Sequence, residues 1–371
     1  MNNYNKVQQL MFNKLFQITQ HEKEKALIEI FKQQLERNKK NKNIESMYNK
    51  LGFDIKYLNT LDDIPYIPVS MFKQFDLYTC EKEEVVRVLN SSGTTKGVPS
   101  KIYIDKKTSI RQSQALITTL THFLGDKRRP LLVIDSESSN SNSSNLTARG
   151  AAIRGISNFA NKIVYAMDNE GEELKINFDR ISKFQQEYGN EDILVYGFTY
   201  IIWSKFLNQL KEMGKKLHFN KGKILHSGGW KKLISEKVTK EEFNRELGEL
   251  FHIDSNSIID FYGMVEQLGV VFIDCECGYK HVPDFAEVII RNINNLEEVE
   301  IGGKGLIQVM STLASSYPAQ AILTEDIGEL VGIDDCKCGR KGKYFKFISR
   351  VEKAEIRGCG DTFAEREKRD D

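Results

Sequence analysis

Val88-Leu-Asn-Ser-Ser-Gly-Thr-Thr-Lys-Gly-Val-Pro-Ser-Lys101, followed at once by Ile102-Tyr-Ile104, decides how this chain is read. An apolar run, a burst of hydroxyls and glycines, a lysine and a second β-rich run predict a loop between two buried strands. Gly93 and Gly97 would let the backbone approach a ligand and turn its N–H groups inward. Ser91, Ser92, Thr94 and Thr95 add hydroxyl donors, and Lys96 or Lys101 supplies positive charge. These are the parts of a polyphosphate cradle. The loop is not of the Walker type, because no Gly-Lys-Ser/Thr closes it and no helix is predicted to begin there. Taken alone, such a composition also suits a plain surface turn.

A chain of 371 residues accommodates one large α/β domain with an appendage, or two domains. Hydrophobic content of 40% and charged content of 28% are globular values. A formal charge of +1 argues against partners held by bulk electrostatics, so nucleic acid and anionic membrane are not expected. No apolar run reaches the roughly 18 residues of a membrane span, and Met1-Asn-Asn-Tyr-Asn5 lacks a signal-peptide core, so the expected location is cytoplasmic. Six cysteines, four of them in two Cys-x-Cys pairs, then point to metal or thiol chemistry rather than disulfides.

Three segments are predicted: a helical cap over 1–80, an α/β core over 81–345 and a hinge-like tail over 346–371. In the first, Leu10, Met11, Leu15, Phe16, Ile28, Phe31, Leu35 and Met47 recur at helical spacing. The two prolines of Asp63-Ile-Pro-Tyr-Ile-Pro-Val-Ser70 make it an extended connector, and 71–78 is a candidate short helix. Within the core, helices are predicted over 108–124, 147–160, 178–188 and 200–213. They alternate with strands at 130–135, 162–166 and 193–199, a pattern of α/β folds. The six serines and three asparagines of 136–145 predict a mobile polar loop.

Four further stretches carry chemistry. Lys223-Ile-Leu-His-Ser-Gly-Gly-Trp230 is a strand ending in a glycine loop, and Ile258-Ile-Asp-Phe-Tyr-Gly-Met-Val-Glu266 another strand running into a turn. Thr324-Glu-Asp-Ile-Gly-Glu329 and Ile348-Ser-Arg-Val-Glu352 follow. With Ser91-Ser-Gly-Thr-Thr95 they resemble, in order, the motifs of the acyl-adenylate-forming superfamily, whose members activate carboxylates with ATP. The resemblance implies an α/β fold of mixed, largely parallel sheets flanked by helices. It places Gly228, Gly229 and Trp230 around adenine, with Tyr262 stacked on the base and Gly263 and Met264 in the same turn. Glu266 would hold Mg²⁺ against the phosphates, Asp326 would accept the ribose hydroxyls, and Arg350 would stand on the ribose side. The residue types suit these roles, since Mg²⁺ prefers hard oxygens and an ionised carboxylate accepts two hydrogen bonds. Two departures stand out: Lys96 intrudes where the superfamily usually has glycine, and Met264 replaces its usual threonine. His226 is either a substrate-side residue or a hydrogen-bonded core histidine.

Cys275-Glu-Cys277-Gly-Tyr-Lys-His281 and Cys336-Lys-Cys338-Gly are two glycine-marked turns that together could hold zinc tetrahedrally. Cys275, Cys336, Cys338 and either His281 or Cys277 are the expected ligands, in a structural role. Phenylacetate-CoA ligase relatives can carry a similar site; ordinary free thiols are the alternative.

Arg357-Gly-Cys359-Gly-Asp-Thr-Phe363 lies near the end of the sequence given. Usual superfamily members continue into a mobile lid domain with a catalytic lysine, expected to be absent here. The His-Ser-Gly-Gly-Trp-Lys stretch, the cysteines and the terminal Arg-Gly-Cys are most similar to the acyl-protein synthetase family of the bioluminescence fatty-acid reductase system. That resemblance implies fatty-acid activation with ATP, acyl transfer to Cys359, and delivery to a reductase. A thiolate attacks an acyl-adenylate readily, and Arg357 and Gly358 would favour thiolate and access. Glu266, Lys101 and Cys359 are the expected catalytic residues. Competing readings keep the adenylation but use coenzyme A or a carrier protein as acceptor, or make the chain a non-catalytic, zinc-stabilised nucleotide-binding module. Phe198, Tyr200, Trp203 and Phe206 are candidates for an acyl pocket or for ordinary core.

Overall fold

The computed structural model describes residue 10 and residues 15–90, 100–140, 148–171, 173–230 and 237–351. Ser91, Ser92, Gly93, Thr94, Thr95, Gly97 and Cys359 therefore lie outside the described residues. In chain order the elements are α1 (Gln20–Asn38), α2 (Lys42–Lys50), β1 (Ile67–Pro68), α3 (Met71–Gln74), β2 (Val85–Asn90), β3 (Lys101–Asp105), α4 (Lys106–Leu124), β4 (Arg129–Ser136) and α5 (Ala148–Ser157). They continue with β5 (Ala160–Glu170), β6 (Glu173–Ile176), α6 (Phe178–Tyr188), β7 (Asp192–Phe198), α7 (Thr199–Ile201), the π-turn Ile202–Leu207, α8 (Asn208–Glu212), β8 (Lys221–Ser227), α9 (Lys240–Phe251) and β9 (Ile258–Tyr262). The last are β10 (Phe272–Ile273), β11 (Lys280–His281), β12 (Ala286–Arg291), β13 (Lys304–Ser311), β14 (Ile322–Ile333) and β15 (Lys343–Arg350).

Two sheets organise the molecule. The seven-stranded one runs β10-β9-β8-β7-β4-β5-β6, with β9, β8, β7, β4 and β5 parallel and both edge strands antiparallel. Its centre reads as a continuous apolar run, as a strand covered on both faces must: all eight residues of β4 are buried. The six-stranded sheet runs β11-β15-β14-β13-β12 and is antiparallel, apart from β1, which lies parallel to β14. Along β14 buried and half-buried residues alternate, the period-2 signature of a sheet with one fully covered face.

β2 and β3 form a separate antiparallel pair flanking the Ser/Thr/Gly loop. Sequence predicted two buried strands here; β3 buries Ile102 and Ile104, but β2 buries only Leu89. A two-stranded ribbon has one face to bury, and among the described residues no third strand pairs with β2.

The helices end where local chemistry stops them. α1 opens with a capping box between Thr19 and Glu22 and buries Leu27, Ile30, Phe31 and Leu35 on one face. Most of these join Ile289, Met310 and Ile322 of the antiparallel sheet in one apolar cluster, so α1 packs directly on that sheet. Leu15 and Phe16 precede the helix, in a turn where Phe16 takes a left-handed φ of 63°. α4 starts on Asp105, whose carboxylate accepts the Thr108 N–H at 2.7 Å, and stops at Gly125. Among the described residues, no helix is long and apolar enough to cross a membrane.

Candidate active site

Ligands of open α/β sheets bind beyond the carboxyl ends of the strands, and here those ends bring together residues far apart in sequence. β8 delivers His226 and Ser227 and then Gly228, whose φ of +85° and position against Phe198 leave no room for a side chain: a Cβ would meet Phe198 Cδ1 at 2.9 Å. At Gly229 a Cβ would meet nothing within 4 Å, so the chain faces open space beside the strand ends. Trp230 sets its edge on Trp203 and Phe243, with Trp203 and Phe243 stacked on each other. Phe206 packs inward on Phe251 and is fully buried, as core.

Next to it, β9 ends in Tyr262, whose hydroxyl donates to Asp326 Oδ2 at 2.8 Å. Arg350 Nε donates to Asp326 Oδ1 at 3.0 Å, from the cross-strand position on β15. Both oxygens of this buried carboxylate are thus engaged and fixed in orientation. Burial, then the neighbouring Asp326 charge, raises the Tyr262 phenol well above its usual range, which keeps it a donor. The Tyr262 ring lies stacked against Phe347 at 5.4 Å and Phe272 at 5.9 Å between centroids.

From Tyr262 the chain passes through Gly263 and Met264 into the short turn Val265–Gln267. Met264 packs its thioether side chain between the two large apolar clusters. Glu266 is buried, and burial raises its carboxyl above the ordinary range, opposed by a hydrogen bond from Ser100 and the charges of Lys73 and Arg350. Ser100 is the first described residue after the Ser/Thr/Gly loop, so Glu266 stands at that loop's exit. A buried carboxylate there could coordinate a hard cation that also binds phosphate. Lys101 is placed differently: it is exposed on β3, 3.6 Å from Asp76 Oδ1, an oxygen that also accepts from Tyr103.

His226 is buried and hydrogen-bonded through Nδ1 to Thr199 Oγ1 at 2.9 Å, with Asp260 Oδ1 3.6 Å away. Burial lowers its pKa. Beneath it lies a network absent from the sequence reading: Lys280 Nζ bridges Asp260 at 2.7 Å and Asp274 at 3.1 Å, and Lys240 meets Asp274 at 2.6 Å. Nothing in the linear spacing of these residues announces it, because β9, β11, the bridge residue just after β10 and the start of α9 supply them.

The cysteine turns converge. Among the described residues, the donor atoms of Cys275, His281, Cys336 and Cys338 all lie within 4.8 Å of one another. The Cys275–Cys336 sulfur separation is 3.9 Å and Cys338 Sγ to His281 Nε2 is 3.3 Å. Tetrahedral zinc requires edges of about 3.8 Å between thiolates and about 3.6 Å between thiolate and imidazole, so the donors fit the ion. Each turn is closed by a glycine in the left-handed region, Gly278 and Gly339, whose N–H bonds the first cysteine's carbonyl. Cys277 stands outside the group and donates its backbone N–H to Cys275 Sγ at 3.4 Å. Burial holds His281 down to about 4, in the neutral form that binds metals, and pushes the Cys275 thiol up to about 11. Arg340 ties the turns together through both Glu276 oxygens, at 2.6 and 3.3 Å.

With this geometry in hand, the comparisons define the class. The fold is similar to that of 2-hydroxyisobutyryl-CoA ligase in its postadenylation state with a bound acyl-AMP, at a TM-score of 0.68 and 14% identity, covering 90% of this chain and 69% of that one. An open form of the same ligase aligns at a TM-score of 0.65. This is the fold of adenylate-forming ligases. Residues 4–367 match the family described as acyl-protein synthetase, LuxE, and the chain belongs to that family. It is similar to the long-chain-fatty-acid–luciferin-component ligases of Aliivibrio fischeri, 27% identical over 83% of this chain and 79% of the relative, and of Vibrio harveyi, 25% identical over 81% and 77%. It is accordingly an ATP-dependent ligase that activates a carboxylic acid as the acyl-adenylate, which sets aside the non-catalytic reading.

Proposed function

We propose that the acid is a long-chain fatty acid and that the acyl group passes from the adenylate to the thiol of Cys359, for delivery to a partner reductase or another acceptor. In the first half-reaction a carboxylate oxygen attacks the α-phosphorus and pyrophosphate leaves. In the second, the thiolate attacks the acyl carbon, the bond to phosphate oxygen breaks, and AMP leaves. Asp326 would present its carboxylate to the ribose hydroxyls, kept in place by Tyr262 and Arg350. Gly228, Gly229 and Trp230 would border the base, and Ser91, Ser92, Gly93, Thr94, Thr95 and Gly97 would cradle the phosphates. Glu266 would hold Mg²⁺, which when bound offsets phosphate charge. Zinc held by Cys275, His281, Cys336 and Cys338 would be structural, which suits a reducing compartment such as the cytoplasm.

The observation that carries this reading is the Tyr262–Asp326–Arg350 arrangement, with Glu266 at the exit of the Ser/Thr/Gly loop. The relatives' names supply the acid class. The test is ATP–pyrophosphate exchange against fatty, aryl and amino acids, followed by trapping of labelled acyl groups on the protein. Exchange specific for long-chain acids, with a hydroxylamine-labile adduct lost in Cys359→Ser while exchange persists, is expected. Acyl-CoA formation with no protein adduct would replace Cys359 by coenzyme A as acceptor.

A further inference from the structure

Phe16 is fully buried, yet it belongs to no helix or strand and its φ is 63°. Its N–H donates to Asp284 Oδ2 at 3.0 Å, and its carbonyl accepts from Lys341 N–H at 2.9 Å. Asp284 lies three residues after His281, and Lys341 three after Cys338, so this one residue is pinned to both metal-binding turns. Its ring meets His281 edge-on at 6.1 Å and also contacts His122 and Phe123. The segment continues the grip. Gln20 N–H donates to Asp334 at 3.0 and 3.1 Å, and the Gln20 side chain accepts from Lys343 N–H and donates to Glu287. Lys23 pairs with Glu287 at 3.1 Å, both fully buried.

A metal-binding histidine ordinarily has its other ring nitrogen fixed by a hydrogen bond to a carboxylate or carbonyl. Among the described residues His281 Nδ1 is buried with no such partner, and the ring is held by packing instead: Tyr344 stacked at 5.4 Å, Phe16 edge-on. We infer that residues Leu15–Lys23 form a strap that retains the metal of the cysteine–histidine centre, with Phe16 positioning His281 in place of a hydrogen-bonded outer partner. The inference rests on the proposed zinc site. Because strap and metal both fasten the same two turns, each stabilises the other's docking.

The test uses the full chain loaded with zinc, following release into excess chromogenic chelator. Phe16→Gly removes the ring while suiting the left-handed backbone. Gln20→Ala, a milder change, guards against a folding defect. Both are expected to release zinc about 10- to 100-fold faster than wild type, the usual cost of losing an outer-shell contact. Chelation of the wild type is expected to expose the buried Lys23 to trypsin. Wild-type release rates in both variants, or tryptic cleavage there indifferent to zinc, would overturn the strap. Failure of the wild type to take up one equivalent of zinc would overturn the metal reading itself, and the strap with it.

Discussion

Tyr262 and Asp326, 64 positions apart, meet in a 2.8 Å hydrogen bond that fixes one oxygen of the carboxylate while Arg350 fixes the other. A hydrogen bond to a buried charged group contributes about 1.5–3 kcal/mol. Tyr262→Phe keeps the ring against Phe347 and Phe272 and removes the hydroxyl with its bonds to Asp326 and Thr324. It should lower stability by that amount in urea unfolding and raise the KM for ATP. An unchanged unfolding midpoint would show that the hydroxyl contributes nothing.

Glu266 should trade stability for function. Its carboxyl is raised by burial, so the unfolded chain ionises first as pH rises, and stability is lost from the ordinary glutamate range up through the folded value. Glu266→Gln should therefore be as stable as wild type or more so at pH 7 to 8, the advantage shrinking on acidification. Pyrophosphate exchange should fall by about 100-fold or more if the carboxylate orders Mg²⁺ and phosphate. Retained exchange would remove Glu266 from the site.

The cysteine–histidine cluster makes a prediction that separates four candidate ligands from five. Cys338→Ser should lose bound zinc and melt earlier, whereas Cys277→Ser should keep one equivalent, because Cys277 lies outside the converging set. Metal content by mass spectrometry, read beside thermal unfolding, decides it; equal zinc loss in both variants would argue for a different donor set.

Asp284 gives a second pH signature. Burial pushes it up to about 6, with the Lys23 charge opposing. Since the folded pKa is raised, the group costs nothing below the ordinary aspartate value near pH 4, and its cost grows until about pH 6. Asp284→Asn, which still offers Phe16 an acceptor, should gain about 1–3 kcal/mol at pH 7 to 8 and nothing at pH 4. A gain independent of pH would point to packing instead.

The alternation of β4, β5 and β7 with helices, and the strands β8 and β9, were visible in apolar runs and turn residues, since buried strands and amphipathic helices carry different periods; β6 and α9 were not among the predicted elements. The turn at Gly228 was visible because a left-handed φ selects glycine. Lys101 alternates with the buried Ile102, and strand pleating sends it to the opposite face, beside Asp76. The Lys280–Asp260–Asp274 network left no such trace.

Sequence alone determined which local conformations were possible, and which residue types were on hand to meet phosphate, ribose and soft metal. Spacing and composition act within a few residues, so they reach that far and no farther. Only the tertiary structure decided that Cys277 stands apart while His281 joins three cysteines, that the Tyr262 ring rests on Phe347 and Phe272, and that Phe16 bonds to residues just beyond both cysteine turns. Those outcomes depend on which strands lie side by side and which face each side chain takes. Both are settled by burying the whole chain's apolar surface at once.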